Sequence, residues 1–367
     1  MNKLHLPGLN GIRAIACLMV FKSHFDASLG KIYAFRSSDI DLGHYGVTAF
    51  FTLSGFLITT LLLREKTASQ SIDIKKFYMR RVLRIWPLYY LVILIGAIFF
   101  IKYHTPTEHP SYFLAYIFLA GNVAFTTGKA IWSIGPLWSV SVEEQFYLIW
   151  PFLIKSRNIL QNILLLTLAF LLLKAAARFS ITSLYVFLSS SRIECMTIGG
   201  VLAFASYKKL SLLRLLSSKF VQTVSWLFIG VIMIIPFHIS TFFDQDIYSI
   251  AIGIIIFNVS SNPNTILTLE NKVLNYLGTI SFGIYAWHML IFYFWSIFAP
   301  HTQLLRIPYL SWFLPFLILG LVILTAHLSF YYYEKRFLLL KERPGKWNKL
   351  SQFNHDVTIP ALKQGLK

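Results

Sequence analysis

The feature that most constrains this chain is a series of long apolar runs, many of them close to twenty residues. A run of that length crosses a ~30 Å hydrocarbon core when it forms an α-helix. Composition agrees, because 56% of the 367 residues are hydrophobic and the mean hydropathy is +0.63. Eleven runs are found, at residues 9–28, 45–63, 85–101, 112–127, 140–154, 159–176, 193–206, 221–237, 246–260, 277–298 and 309–333. The sequence therefore predicts an all-α polytopic membrane protein.

The formal net charge of +18 also fits a membrane protein. Most lysine and arginine side chains lie in short loops between apolar runs, which is the pattern of the positive-inside rule. Membrane lipid with anionic headgroups is the expected partner of these loops, and no nucleic acid is expected, because the basic residues form no folded soluble face. Neither disulfides nor a metal site are predicted, since both cysteines lie in apolar runs and no histidines pair at helical spacing.

The basic loops also orient the chain. Residues 64–84 carry seven Lys or Arg against two acids, and residues 207–219 carry four with no acid, so both segments are predicted to be cytoplasmic. Three apolar runs lie between the first loop and Lys155–Arg157, which is also placed inside, so only an even number can cross. The segment 112–139, which glycines and Pro136 interrupt, is therefore predicted to be re-entrant. About ten transmembrane helices result, with both termini cytoplasmic.

This topology divides the chain into a membrane-embedded domain, residues 1–335, and a basic cytoplasmic tail, residues 336–367. Residues 72–84 are predicted to form a basic amphipathic helix at the cytoplasmic interface. The first run is expected to remain in the mature protein, because it contains Arg13 and His24 and no cleavage site follows it. The outward loops are predicted at residues 29–44, 177–191, 238–246 and 299–308.

The first run carries two side chains that a bilayer disfavours, Arg13 and His24. Eleven helical steps come to ~1100°, close to three full turns, so both side chains lie on one face and ~16 Å apart along the axis. One interpretation is a functional site that holds a cation and a titratable imidazole. The alternative is an arginine that extends to the interface and a histidine that is hydrogen-bonded in a packed core.

A polar pocket is predicted around Glu143, because two acids fall beside hydroxyl and indole groups in the segment WSIGPLWSVSVEEQFY. The alternative is an interfacial carboxylate without a task. In another run, Ser54 and Gly55 either belong to small-residue helix packing or allow a substrate to approach the backbone. The candidate substrate-binding residues of these two segments are Ser54, Trp138, Ser141 and Tyr147.

Three arginines stand at the start of another apolar helix, Arg80, Arg81 and Arg84. Spacings of three and four residues place them on one face of the helix. Guanidinium groups bind phosphate in a bidentate manner, so a phosphorylated ligand is one interpretation. Anchoring of the helix at the cytoplasmic interface is the other.

Two further positions place polar groups in apolar helices. Arg192 and Glu194 are predicted to form a structural ion pair, either with each other or with Glu143 across the bundle. The alternative is that Arg192 is a substrate-binding residue. His288 lies one turn after Tyr285 in an apolar helix. It is either a hydrogen-bonded core residue or a substrate-binding residue.

In combination and in order, these segments resemble the membrane-bound acyltransferase-3 family. The resemblance rests on GLNGIRAIACLMVFKSH, SGFLI, FYMRRVLRIWPLYY, LWSVSVEEQFY, RIECMTIGGVLA and ISFGIYAWH, over roughly residues 5–335. It implies ten membrane helices and O-acylation of a cell-surface polysaccharide such as the O-antigen of lipopolysaccharide, commonly with acetyl groups from cytoplasmic acetyl-CoA. It also implies a multi-pass protein of the bacterial inner membrane.

Carried over to matching positions, the resemblance makes His24 the catalytic base and Arg13 its essential companion. The three arginines of FYMRRVLRI would face the acyl donor, and Glu143 would be the acid of WSVSVEE. Acetyl-CoA is then a substrate, and no permanently bound cofactor is expected. The sequence departs from the family pattern at Glu194, where Asp is expected. No soluble esterase-like domain is expected after the last run, so transfer is expected to finish within the membrane body.

A different class of function uses the same residues. Arg13, His24 and Glu143 could form a proton relay in a transporter or flippase for a sugar or a lipid-linked oligosaccharide. The absence of a convincing inverted repeat in the sequence counts against this alternative. A non-catalytic scaffold explains neither His24 nor the segment around Glu143.

Overall fold

The structure is a computed structural model, and it describes residues 6–30, 40–103, 109–298 and 310–340. Within these ranges every regular element is a helix and none is a strand. The all-α prediction is therefore confirmed for the described residues. Most of the predicted tail, and most of the loops predicted at 29–44 and 299–308, lie outside these ranges.

Sixteen α-helices follow one another in the described ranges. They are α1 (Leu9–Phe25), α2 (Leu42–Ser69), α3 (Ile74–Tyr103), α4 (Tyr112–Ile117), α5 (Gly121–Thr126), α6 (Trp138–Lys155), α7 (Ile159–Ser180), α8 (Thr182–Ser191), α9 (Ile193–Lys208), α10 (Leu212–Leu216), α11 (Lys219–Ile232), α12 (Asp244–Ser261), α13 (Lys272–Thr279), α14 (Ser281–Phe298), α15 (Leu310–Leu328) and α16 (Lys335–Leu340). A 3₁₀-helix, Trp132–Leu137, precedes α6, and π-helical turns follow α1 and α15 at Asp26–Gly30 and Ser329–Glu334.

Six helical stretches of the described chain are long and apolar enough to cross a membrane. They are Leu42–Ser69, Ile74–Tyr103, Ile159–Ser180, Thr182–Lys208, Ser281–Phe298 and Phe313–Leu340. The apolar side chains of α7 and α15 are largely exposed, as expected for surfaces that face lipid. The chain is thus a multi-pass membrane protein. The count of ten crossings and the cytoplasmic termini stay predictions.

Two segments differ from the sequence expectation. Residues 74–84 are helical, as predicted, but they are the first part of a longer helix, because α3 continues without a break from Ile74 past Pro87. Residues 177–191 do not form a loop, because the end of α7 and the whole of α8 lie there. Packing of α8 against α5 and α7 outweighs the loop-like, serine-rich sequence of this segment.

The segment 112–139 is interrupted, as predicted, and consists of two six-residue helices and a 3₁₀-helix. None of the three is long enough to cross a bilayer. Side chains from longer helices satisfy carbonyl groups at the ends of these short helices. Tyr89 donates a hydrogen bond to the carbonyl of Tyr116 (2.7 Å), and the Gln145 amide donates to the carbonyl of Leu119 (2.9 Å). Re-entry into the membrane stays a prediction.

Two glycines allow α2 and α9 to cross at a very short distance. At the contact between α2 and α9, a Cβ atom at Gly55 would lie 1.9 Å from the carbonyl oxygen of Met196, and one at Gly199 would lie 2.0 Å from that of Thr52. Only glycine allows the two backbones to approach this closely. Gly55 is therefore a packing residue, which decides between the two interpretations of that position.

Candidate active site

One face of α1 connects two polar clusters. Arg13 lies one turn after the start of this 17-residue helix, and His24 is its penultimate residue. Both side chains are partly exposed, whereas adjacent residues on the helix, such as Ala14 and Phe25, are buried. α1 packs against α2, α13 and α14, and the last of these helices brings a second histidine to His24.

His24 and His288 form a hydrogen-bonded pair, here called the histidine pair. The Nδ1 atom of His24 lies 2.8 Å from Nε2 of His288, and the two ring planes differ by only 6°. The Nδ1 atom of His288 lies 2.7 Å from the carbonyl oxygen of Tyr285. His288 is 1% exposed, so it belongs to the protein interior, while His24 keeps an accessible edge.

The helix that carries His288 is fixed by its own hydrogen bonds to the segment before α6. The Tyr285 hydroxyl donates to the carbonyl of Pro136 (2.8 Å) and lies 2.6 Å from Oγ of Ser139. The Tyr285 ring meets the edge of Phe50 on α2. These contacts connect α14 to three neighbouring elements and hold the histidine pair in place.

An acidic group lies near the accessible end of α1. Asp41 caps the start of α2 through a hydrogen bond from the amide of His44 (3.3 Å) and accepts a second bond from Oγ of Ser23 (2.6 Å). Asp41 is also within Coulombic range of His24. Asp41 is not among the residues predicted for the site, because it falls in a segment that is predicted to be a loop.

At the other end of α1 a carboxylate is held by two hydroxyl groups. Ser54 on α2 donates a hydrogen bond to Oε1 of Glu143 (2.7 Å), and Tyr147 donates to Oε2 (3.2 Å). Arg13 is within Coulombic range of Glu143 and donates a hydrogen bond to the side chain of Asn10 (3.0 Å). The structure therefore brings together Arg13, Ser54, Glu143 and Tyr147; the sequence predicts Tyr147 beside Glu143 but does not connect Ser54 with this carboxylate.

Two further guanidinium groups lie near Arg13. Arg81 and Arg84 of α3 are both within Coulombic range of Arg13, and we call these three residues the arginine cluster. Arg81 lies over the ring of Tyr147 at 5.6 Å, and its buried Nε atom has no hydrogen-bond partner among the described residues. Glu144 is within Coulombic range of Arg81, and Glu334 is within Coulombic range of Arg84, so carboxylates besides Glu143 also lie near this cluster.

The three arginines predicted to act together take different positions. Arg80 forms an ion pair with Glu65, so its charge is already compensated. Arg81 faces the protein interior, and Arg84 is exposed. Donor binding therefore stays a prediction for the arginine cluster. Arg80 is not part of this cluster, because its charge is compensated by Glu65.

Two predicted pocket residues make packing contacts. The ring of Trp138 stacks on that of Phe125 at 4.7 Å, and the fully buried Ser141 accepts a hydrogen bond from the amide of Gly121 (3.1 Å). Both contacts join α6 to α5. A role of Trp138 and Ser141 in substrate binding stays a prediction. In the structure both residues hold α5 against α6.

The predicted ion pair between Arg192 and Glu194, or of either with Glu143, is wrong. Glu194 pairs with Lys174 of α7 at 2.6 Å, and these side chains are 1% and 2% exposed. Arg192 adopts a left-handed backbone conformation (φ 46°) between α8 and α9 and donates hydrogen bonds to the backbone carbonyl (2.8 Å) and ring of His44. The left-handed residue between α8 and α9 brings the Arg192 side chain to α2, while Lys174 of α7 is the partner of Glu194.

Known proteins resemble this chain along most of its length. The family model described as an acyltransferase domain matches residues 6–331. The peptidoglycan O-acetyltransferase OatA of Listeria monocytogenes is 28% identical over 94% of this chain and 61% of its own length. The O-acetyltransferase OatA of Staphylococcus aureus strain NCTC 8325 is 28% identical over 94% of this chain and 60% of its own length. No solved structure matches the chain.

The chain spans about three fifths of the length of these relatives. The matched region includes both ends of α1, the arginine cluster, Glu143 and His288. A match over residues 6–331 covers most of the chain, so this protein belongs to the acyltransferase-3 family.

Proposed function

We propose that this protein is a membrane O-acyltransferase that moves an acetyl group from cytoplasmic acetyl-CoA to a sugar hydroxyl of a cell-surface polysaccharide. The observation that carries the proposal is the arrangement on α1. One face of a single helix presents Arg13 to a cationic cluster and His24 to the histidine pair. The proposed location is the bacterial inner membrane.

The arginine cluster suits the donor. Coenzyme A carries phosphate groups, and guanidinium groups bind phosphate through paired charge-assisted hydrogen bonds. Arg81 has a buried Nε without a partner in the described part of the protein, and Arg84 is exposed at the edge of the cluster. Acetyl-CoA would place its phosphates here and extend its flexible arm along α1 toward His24.

His24 suits the acceptor. An imidazole with an accessible edge takes the proton of an attacking hydroxyl, a contribution that is typically worth ~10²–10⁴-fold in rate. The hydroxyl oxygen bonds to the thioester carbonyl carbon, the carbon–sulfur bond breaks, and the proton on His24 passes to the departing thiolate. The products are an acetyl ester and free coenzyme A, and no other reactant is needed.

The acceptor is proposed to be a glycan of the cell wall or cell surface, delivered as polymer or as a lipid-linked oligosaccharide. One relative is named for O-acetylation of peptidoglycan, which supports a polysaccharide acceptor of that kind. The names of the relatives lend no support to O-antigen or lipopolysaccharide. A glycan related to peptidoglycan is therefore the first acceptor to test.

Inverted membrane vesicles separate this function from transport. Acetyl-CoA that carries a labelled acetyl group is supplied to the exposed cytoplasmic side, with glycan acceptor inside the vesicles. A transferase labels the glycan, and His24→Ala abolishes the label at equal protein level. Movement of unlabelled glycan across the membrane without acetylation would instead favour the transporter or flippase.

A further inference from the structure

We propose that His288 is a positioning residue that holds His24 in the tautomer with hydrogen on Nδ1, so that the unprotonated Nε2 of His24 faces the acceptor. The proposal rests on the proposed role of His24 as base and adds which ring atom of His24 takes the proton. It follows from hydrogen-bond geometry in three steps.

The first step fixes the hydrogen on His288. Its Nδ1 atom lies 2.7 Å from the backbone carbonyl oxygen of Tyr285, three residues earlier on α14. A carbonyl oxygen only accepts hydrogen bonds, so Nδ1 of His288 carries the hydrogen. This assignment does not depend on the state of His24.

The second step concerns the charge of His288, which is neutral. The side chain is 1% exposed, and its ring packs beside the rings of Tyr285 and Phe292. Among the described residues no carboxylate forms an ion pair with it. A buried imidazole without an anionic partner is stable only without charge. Since Nδ1 holds the single hydrogen, Nε2 of His288 is a hydrogen-bond acceptor.

The third step transfers this constraint to His24. The acceptor Nε2 of His288 lies 2.8 Å from Nδ1 of His24, and the rings are nearly coplanar, so the bond lies in both ring planes. His24 must donate from Nδ1, and a neutral His24 then has a lone pair on Nε2. No described residue forms a hydrogen bond with this Nε2, and the His24 side chain is partly exposed. The basic atom is thus left free for a substrate hydroxyl.

Three substitutions of His288 separate positioning from packing. His288→Gln places an amide oxygen near the position of Nε2 and keeps an acceptor for His24. His288→Asn matches the Nδ1 position, so it keeps the contact with Tyr285 but does not reach His24. His288→Leu fills the space and removes both bonds. We expect Gln to retain activity within about tenfold, and Asn and Leu to lower kcat by about 10²–10⁴-fold with KM for acetyl-CoA unchanged.

A spectroscopic measurement tests the tautomer itself. Nitrogen-15 NMR of histidine-labelled protein, with His24→Ala used to assign the signal, distinguishes hydrogen on Nδ1 from hydrogen on Nε2. We expect Nδ1–H at His24 in the wild type and in His288→Gln, and Nε2–H in His288→Leu. Hydrogen on Nε2 of His24 in the wild type would overturn the proposal, and so would equal activity of the Gln, Asn and Leu variants.

The two proposals fail in different ways. If His24→Ala keeps full activity, His24 is not the base, whatever its tautomer. If His24→Ala is inactive but the wild-type tautomer is Nε2–H, the proposed function stands and the positioning role of His288 is lost.

Discussion

Ser54 on α2 donates a 2.7 Å hydrogen bond to Glu143 on α6, and this bond fixes a carboxylate within Coulombic range of Arg13 on α1. Three helices thus meet at one charged site. Glu143 is within Coulombic range of both Arg13 and Arg81. A negative charge on Glu143 would help to balance these two cations.

Glu143→Gln is expected to lower acetyl transfer at least tenfold. The amide keeps a hydrogen-bond acceptor for Ser54 but removes the charge that balances the arginine cluster, so the guanidinium groups repel one another and reorient. Ser54→Ala should cost about 1.5–3 kcal/mol of stability, the value of a hydrogen bond to a charged group. Acetylation rates and thermal unfolding of the purified variants measure both effects. Equal rates for Glu143→Gln and wild type would contradict the charge-balancing role.

Arg81→Ala and Arg84→Ala are each expected to raise KM for acetyl-CoA several-fold, because the arginine cluster is proposed to bind the donor phosphates. Arg80→Ala is the matched control, since Arg80 stands next to Arg81 in the chain and is already paired with Glu65. Initial rates over a range of acetyl-CoA concentrations give the comparison. A larger rise in KM for Arg80→Ala than for the other two would place the donor elsewhere.

Gly55→Ala and Gly199→Ala are each expected to destabilise the protein by at least about 3 kcal/mol, because each methyl group would collide with the backbone of the facing helix. Gly230→Ala is the control, since a Cβ atom at that position meets open space. Thermal unfolding in one detergent compares all three. Wild-type stability of both α2 and α9 variants would mean that the two helices do not cross as closely as described.

Lys174→Met is expected to destabilise the protein by about 3–5 kcal/mol, because it leaves Glu194 buried without its cationic partner. The double variant Lys174→Met, Glu194→Leu should recover much of this loss, since it removes both charges. Thermal unfolding of the two variants tests the pair. A double variant that is less stable than the single variant would show that the pair itself stabilises the fold.

Helical periodicity was sufficient to place Arg13 and His24 on one face of α1, because both residues lie within one regular element. The polar character of the Glu143 segment was likewise visible, and Tyr147 contacts Glu143 as the predicted pocket implies, but the contact of Glu143 with Ser54 was not predicted. These predictions succeed because a bilayer makes polar groups in apolar runs expensive, so each one needs a partner.

Contacts between distant helices could not be obtained in this way. The histidine pair joins residues 264 positions apart, and nothing local indicates that their rings meet. One such contact has a signal in the sequence. Lys174 lies in an apolar run and needs a buried acidic partner, which favours a pair of Glu194 with Lys174 over a pair with Arg192. The helix α8 was missed because tertiary packing, not local propensity, stabilises its serine-rich end.

The central claim is that His24 on α1 carries out acetyl transfer to a surface glycan. The most direct measurement is the ester-linked acetyl content of cell-surface polysaccharide from cells that lack this protein, carry the wild type, or carry His24→Ala at the same membrane level. The account predicts acetylation with the wild type and background acetylation with the other two. Full acetylation with His24→Ala, or no difference when the protein is removed, would contradict it.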